Sequence, residues 1–138
     1  MSLRLLSRNV KGLNNPQKRE VIKNLLKERK CDIVCFQEIK LASSNSSVVH
    51  SLGGSPFLDW VALDVVNTAG GVLLVWDKRV YEKFKCAIGQ FSVNVLLKGV
   101  INDFVWACSG VYGPNDDSQW GALWDELSRM LGGIRHGV

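Results

Sequence analysis

The run DWVALDVVNTAGGVLLVW, Asp59 to Trp76, constrains the fold more than any other stretch of the chain. Asp59–Val65 alternates polar and apolar residues as a half-buried strand does, NTAGG supplies a turn, and Gly70–Trp76 is a second strand-like run. Two such runs across a short turn make an antiparallel hairpin, whereas parallel neighbours need a long crossover between them. FSVNVLLK, Phe91 to Lys98, and DFVWACSGVY, Asp103 to Tyr112, form a second pair around a short Gly/Asn link. The hairpins therefore argue against a doubly wound parallel sheet, and an α/β (α+β) layered sandwich is expected.

The opening of the chain has a different rhythm. LRLLSRNV, Leu3 to Val10, reads as a strand ending in a Gly/Asn turn. Asn15 then offers a side-chain cap, Pro16 suits the first helical position, and Val21, Ile22, Leu25 and Leu26 form one stripe, so a helix is expected to end near Lys30. Asp32–Gln37 is a short apolar run typical of a buried strand, with Glu38 at its C-terminal edge. SSNSSVVHSLGG reads as a loop with a short helix. After GPNDDS, residues 118–131 carry Leu123, Trp124, Leu127 and Leu131 at helical spacing, and Gly132 and Gly133 are expected to end that helix. The expected order is strand, helix, strand, loop, four strands in hairpins, then helix, all within one domain over 1–138, with no repeat or linker.

Composition narrows the class. At 138 residues with 46% apolar and 22% charged positions, the chain has the make-up of an ordinary globular protein and not of a disordered or fibrous one. It contains no apolar run of about 18 residues and no secretion-signal pattern, so no membrane partner is expected and the protein is placed inside the cell. Cys31, Cys35, Cys86 and Cys108 form no C-x-x-C pair and only two histidines accompany them, which excludes zinc-type spacing. Each cysteine lies in or beside an apolar run and is expected to pack as a small buried hydrophobe. Charge is uneven: residues 1–30 hold nine Lys/Arg against Glu20 and Glu28, or +7, and the remainder holds eight against eleven, or −3. Such a basic segment suits a polyanion, and it equally suits the solvated face of one helix.

Polar groups recur at strand ends. Asn9 follows the first strand, Glu38 the second, and Tyr112 and Asn115 the sixth. Singly they read as a turn residue, a solvated acid, a core aromatic and a cap. Gathered at one rim, they would suit a hard divalent cation and a phosphate, because Mg²⁺ takes one or two carboxylates and keeps several waters. The five tryptophans, Trp60, Trp76, Trp106, Trp120 and Trp124, fall on core patterns and read as packing residues.

In order, S-x-N-V-x-G-L-N at 7–14, D-I-V-C-F-Q-E-x-K at 32–40 and G-V-Y-G-P-N at 110–115 resemble the first three motifs of the endonuclease/exonuclease/phosphatase family. The text between them is most similar to the endonuclease domain of plant non-LTR (LINE-type) retrotransposons, and the resemblance spans 3–131, leaving 132–138 as a divergent tail. The resemblance implies a four-layered α/β sandwich and Mg²⁺-dependent phosphodiester hydrolysis that nicks DNA, with Mn²⁺ as an alternative ion and no small-molecule cofactor. It places Asn9 and Glu38 at the metal, Tyr112 on the scissile phosphate and Asn115 in the same cleft. Lys11, Lys18 and Arg19 are then expected near the DNA backbone, and the expected location is nuclear.

The chain departs from the family in carrying Arg8 where most members have Trp, and Lys11 where many have Asp, Asn or Arg. The later Gly-Asp-Phe-Asn and Ser-Asp-His motifs do not occur in these 138 residues. The expectation is therefore a domain truncated to roughly its first half, inactive alone, and prone to association through exposed apolar surface. Weak nucleic-acid binding without catalysis, or membership among the phosphatases of the superfamily, are the alternative readings.

Overall fold

The computed structural model describes residues 4–13, 15–29, 31–40, 46–53, 57–64, 71–111 and 119–136. Strand β1 (Leu5–Asn9) leads into helix α1 (Pro16–Arg29), then strand β2 (Ile33–Gln37) and helix α2 (Ser46–Gly53). Five strands follow: β3 (Leu58–Leu63), β4 (Val72–Asp77), β5 (Tyr81–Ile88), β6 (Ser92–Gly99) and β7 (Val105–Val111); α3 (Trp120–His136) comes last. Helix α1 starts as its sequence predicts: the Gln17 N–H donates to Asn15 Oδ1 (2.9 Å), and Pro16 occupies a position whose N–H would have no partner anyway.

The strands form two sheets, one of order β1-β2-β4-β3 and one of order β5-β6-β7. Among the described residues only β1 and β2 run parallel, with α1 as their crossover; every other pair is antiparallel. The expected hairpin of β3 and β4 is present, yet β4 also pairs with β2, so the first sheet joins the parallel opening to the hairpin. Alternation along β2 and β4 then divides the core. Val34, Phe36, Leu73 and Val75 pack under α1 and α2, while Ile33, Cys35, Val72, Leu74 and Trp76 face Val93, Val95 and Leu97 of β6. Because both faces are covered, β2 and β4 read as continuous apolar runs. With α3 against the outer side of β6, the layers are helix, sheet, sheet, helix, which is the four-layered sandwich expected.

The structure corrects several expectations. Five strands, not four, follow α2, because β5 (YEKFKCAI) is an edge strand with exposed Glu82, Lys83 and Lys85 and a bulge between Lys83 and Lys85 that hides its period. Helix α3 continues through Gly132 and Gly133 to His136. Val21 is 67% exposed and leaves the stripe of α1 to Ile22, Leu25 and Leu26. Trp124 is 61% exposed and Trp120 is also exposed, so these two are not core residues; Trp76 is the one fully buried. Cys86 is exposed on β5 and is no core thiol.

The inward face of α3 instead carries a carboxylate. Glu126 is 4% exposed and accepts from the Gln90 N–H (2.5 Å), the Phe91 N–H (2.9 Å to Oε2) and the Ser92 hydroxyl (2.7 Å). The chain of contacts continues, with Asn94 Nδ2 donating to Ser92 Oγ (3.1 Å) and the Ser109 hydroxyl to Asn94 Oδ1 (2.6 Å). A polar line thus crosses β6 and β7 under the helix and fixes its register.

Candidate functional site

The parallel register of β1 and β2 sets Asn9 opposite Gln37, and Gln37 opposite Val72 of β4. The three strands therefore share one rim, with Glu38 immediately beyond β2. The turns above it interlock. The Val10 N–H donates to the Gln37 carbonyl (3.0 Å), that of Gly12 to Glu38 (2.7 Å), and that of Leu13 to Ile39 (3.0 Å). Ile39 in turn donates to the Gly71 carbonyl (3.4 Å). Val10, Leu13 and Ile39 are buried plugs beneath these turns, so the rim is attached to the core and does not float as a free loop.

Left-handed backbone concentrates here. Lys11 (φ 50°), Glu38 (φ 55°) and Lys40 (φ 52°) adopt it without being glycine, beside Gly12 (φ 102°) and Gly71 (φ 96°). Such conformations cost of order 1–3 kcal/mol for a side chain of this kind and persist where surroundings enforce them, which is common at functional sites. The Asn9 side chain contributes locally, since its Oδ1 accepts the Lys11 N–H (3.1 Å) in an Asx turn. Asn9 is exposed and Glu38 half-buried.

Two basic residues of the opening stretch meet at the same place. Lys18 Nζ donates to the Lys11 carbonyl (3.1 Å), bringing an ammonium from the first turn of α1 over the β1 turn. Lys11 is exposed and Arg19 half-buried on α1. Tyr112 and Asn115 lie outside the described residues. The strand that precedes them does approach: a Cβ built at Gly110 of β7 would fall 2.6 Å from Val72 Cγ1 and 3.4 Å from Cys35 Sγ. Only a glycine lets β7 come this close to β2 and β4. Gly110→Ala is expected to cost about 1–3 kcal/mol by overpacking, measurable as a lowered urea midpoint at constant m-value.

Neither thiol nor soft-metal chemistry fits the interior. Burial, with Cys108 nearby, pushes the Cys35 thiol up to about 11 against a weaker lowering by Ser7, and burial raises Cys108 as well. A thiol near 11 holds roughly a hundredfold less thiolate than an ordinary one. At pH 8, iodoacetamide should therefore modify exposed Cys86 first and Cys35 last, as peptide mass spectrometry would show. Among the described residues no group of three His, Cys, Asp or Glu side chains stands together. One carboxylate and one amide oxygen at neighbouring strand ends form a hard donor set, which Mg²⁺ accepts because it retains water ligands.

A small crevice of about 190 Å³ opens at the opposite rim, between α1 and the sheet, lined by residues including Lys27, Cys31, Asp32 and Asp77. Its acids are already engaged: Asp32 Oδ2 accepts the Arg4 N–H (2.8 Å), and Asp77 pairs with Arg79 (2.7 Å), whose hydrogen bond lowers the Asp77 carboxyl below its usual range.

Neither a protein-family model nor a curated protein sequence matches the chain. Solved structures do. An endonuclease/exonuclease/phosphatase family protein from Bacteroides thetaiotaomicron superposes with TM-score 0.75 and 12% identity over 98% of this chain and 58% of its own. An AP endonuclease from Archaeoglobus fulgidus gives 0.61 and 18% over 99% and 52%. A 3′ phosphatase from Neisseria, bound to a product DNA hairpin, gives 0.62 and 19% over 94% and 54%. The fold is of the endonuclease/exonuclease/phosphatase type, and the chain spans a little over half the length of each of these proteins. Among the described residues no helix is long and apolar enough to cross a membrane.

Proposed function

We propose that residues 1–138 are one unit of a Mg²⁺-dependent phosphodiesterase that acts on DNA, of the kind found in plant LINE-type retrotransposons. The observation that carries this reading is the β1–β2 register, which sets Asn9 opposite the residue preceding Glu38 at a rim flanked by Lys11 and Lys18. The motif order at 7–14, 32–40 and 110–115 supports it, as does the occurrence of an AP endonuclease and a DNA-bound phosphatase on the same fold.

Glu38 and Asn9 would hold the metal, with Mn²⁺ able to replace Mg²⁺. When bound, the ion supplies Lewis-acid polarisation of the phosphoryl oxygens. The chain's own residues do the rest. Lys11, Lys18 and Arg19 orient the DNA backbone, and the resemblance of G-V-Y-G-P-N gives Tyr112 the role of hydrogen-bond donor to a non-bridging oxygen and Asn115 a supporting role at the same phosphate. The substrate places this activity in the nucleus. A second reading, a phosphatase of the same fold, is favoured by the Neisseria 3′ phosphatase, and short 3′-phosphorylated oligonucleotides would distinguish it from a nickase.

Metal binding can be read without catalysis. Titrating Mn²⁺ into the isotope-labelled chain should broaden the amide signals of 9–12 and 38–40, and Glu38→Ala should remove that broadening. Broadening elsewhere, or broadening indifferent to Glu38→Ala, would sink the assignment. On supercoiled plasmid, the 138-residue polypeptide alone should show no Mg²⁺-dependent nicking, since Gly-Asp-Phe-Asn and Ser-Asp-His motifs are missing from it and groups that act as a unit fail together. Nicking lost with Glu38→Ala would instead make those motifs dispensable.

A further inference from the structure

We infer that the edge of β5 is a second nucleic-acid surface, a track for a single strand on which a base stacks against Phe84 and phosphates meet Lys78, Lys83 and Lys85. Beyond residue 30 the chain is net acidic, yet four of the eight Lys/Arg of that portion fall within 78–85, beside one acid, Glu82. Arg79 is tied to Asp77 (2.7 Å), while Lys78, Lys83 and Lys85 are exposed. Lysines on an edge strand have an ordinary purpose, since they discourage pairing with another sheet. Phe84 does not share that purpose. It is 51% exposed, and an apolar ring on a sheet edge invites association instead of repelling it.

The bulge arranges these side chains. Lys83 pairs with Leu97 and Lys85 with the adjacent Leu96, so Phe84 is the extra residue, without a partner across the ladder. In a regular strand, residues two apart share one face. Here Lys83 takes the face of Leu97, toward the first sheet, and Lys85 the face of Leu96, on the side of α3. The ring is therefore bracketed by a lysine from each face of the sheet. A base stacked on Phe84 sets the phosphates on either side of it toward these two lysines. Just before β5, Lys78 and Arg79 extend the basic strip, and Arg79 lies over the Phe57 ring (4.1 Å to its centroid), itself 40% exposed.

The combination selects the partner. A duplex answers the charge but keeps its base faces inside the stack, whereas a single strand presents phosphates and base faces together, the pair of features that lysines around an aromatic ring recognise. A second copy of this chain would bring β5 lysines against β5 lysines, and like charges across a ladder repel. The track is also separate from the Asn9–Glu38 rim. Strand β5 is the edge of the second sheet away from β7, the strand that approaches β2 and β4 there. The inference uses no residue of that rim and does not depend on its metal.

The test is binding of labelled oligothymidylate and oligouridylate, each of about twelve nucleotides, to the 138-residue chain in EDTA, read by fluorescence anisotropy. Affinity should fall with salt at a log–log slope of about −2, the value for three phosphate contacts on a single strand, and Lys83→Ala should reduce that slope by about 0.7. Phe84→Ala should weaken binding about tenfold. Phe84→Leu should weaken it as much, because leucine keeps apolar area without a flat face, and Phe84→Tyr should retain it. In the isotope-labelled wild type, either oligonucleotide should shift the amide signals of 82–86, a readout that needs no variant to fold. Tighter binding of one oligonucleotide would support the track and identify its strand as DNA or RNA. No binding, wild-type affinity in Phe84→Leu, or shifts confined to 9–19 would overturn the inference, and the last of these would leave the rim's own reading standing.

Discussion

Replacing Glu126 with Ala should lower the unfolding free energy by about 3–5 kcal/mol, a large share of the roughly 5–15 kcal/mol that domains of this size possess. The carboxylate is 4% exposed and accepts from two backbone amides and a serine hydroxyl. Hydrogen bonds to a charged acceptor contribute about 1.5–3 kcal/mol each, and truncation leaves the buried Phe91 amide without its acceptor in addition. Glu126→Gln keeps the shape and one acceptor oxygen but turns an NH₂ toward donors, so an intermediate loss is expected. Urea unfolding of the three proteins checks the order. A loss below about 1 kcal/mol for Glu126→Ala would mean that α3 is held by Leu123 packing alone. Gly89→Ala offers an independent probe, because a Cβ there would fall 2.6 Å from Glu126 Oε2 and force the carboxylate out of place.

Leu13→Ala is expected to cost about 2–5 kcal/mol, the range for fully buried leucine truncations. If Glu38 holds the metal as proposed, it should also weaken Mn²⁺ binding there, whereas a truncation of equal cost elsewhere should not. Leu13 is wholly buried in the cluster with Ile39 and Phe36, and its amide donates to the Ile39 carbonyl (3.0 Å). Two features therefore converge on one side chain: the core beneath the helices and the interlock of the β1 and β2 turns. Val49→Ala, in the same cluster but on α2, supplies the comparison. Comparable losses of stability with a metal-affinity loss confined to Leu13→Ala would tie the plug to the site. Equal affinity in both variants would reduce Leu13 to a packing residue.

The fold was readable wherever burial imposes a period. Asp59–Val65 and Gly70–Trp76 read as a hairpin, which the structure forms from Leu58–Leu63 and Val72–Asp77, and Asn15 with Pro16 announced α1. The reading failed where a segment faces water on both sides. Strand β5 owes its conformation to its ladder with β6 rather than to alternation of its own, and a bulge breaks what pattern remains. It failed again on α3, where helical spacing marked Leu123 and Trp124 for one stripe. The helix turns Leu123 and Glu126 inward instead, three residues apart, and leaves Trp124 outside. The acid in LWDEL was visible in the sequence, but its reason for burial, the amides of Gln90 and Phe91, lies about 35 residues away along the chain.

The candidate site divides along the same line. Strand-end position offered Asn9 and Glu38, because a polar residue directly after an apolar strand lands at a sheet rim whichever strands surround it, and the order of the motifs at 7–14, 32–40 and 110–115 singled them out. Their convergence depends on more. It requires β1 and β2 to be parallel neighbours, the turns to cross-link through Gly12, Leu13 and Ile39, and Gly110 to admit β7 against β4. Periodicity and turn chemistry are short-range and are written into consecutive residues. Strand order, sheet offset and the partner of a buried charge arise from contacts between distant segments, and only the packed chain selects them.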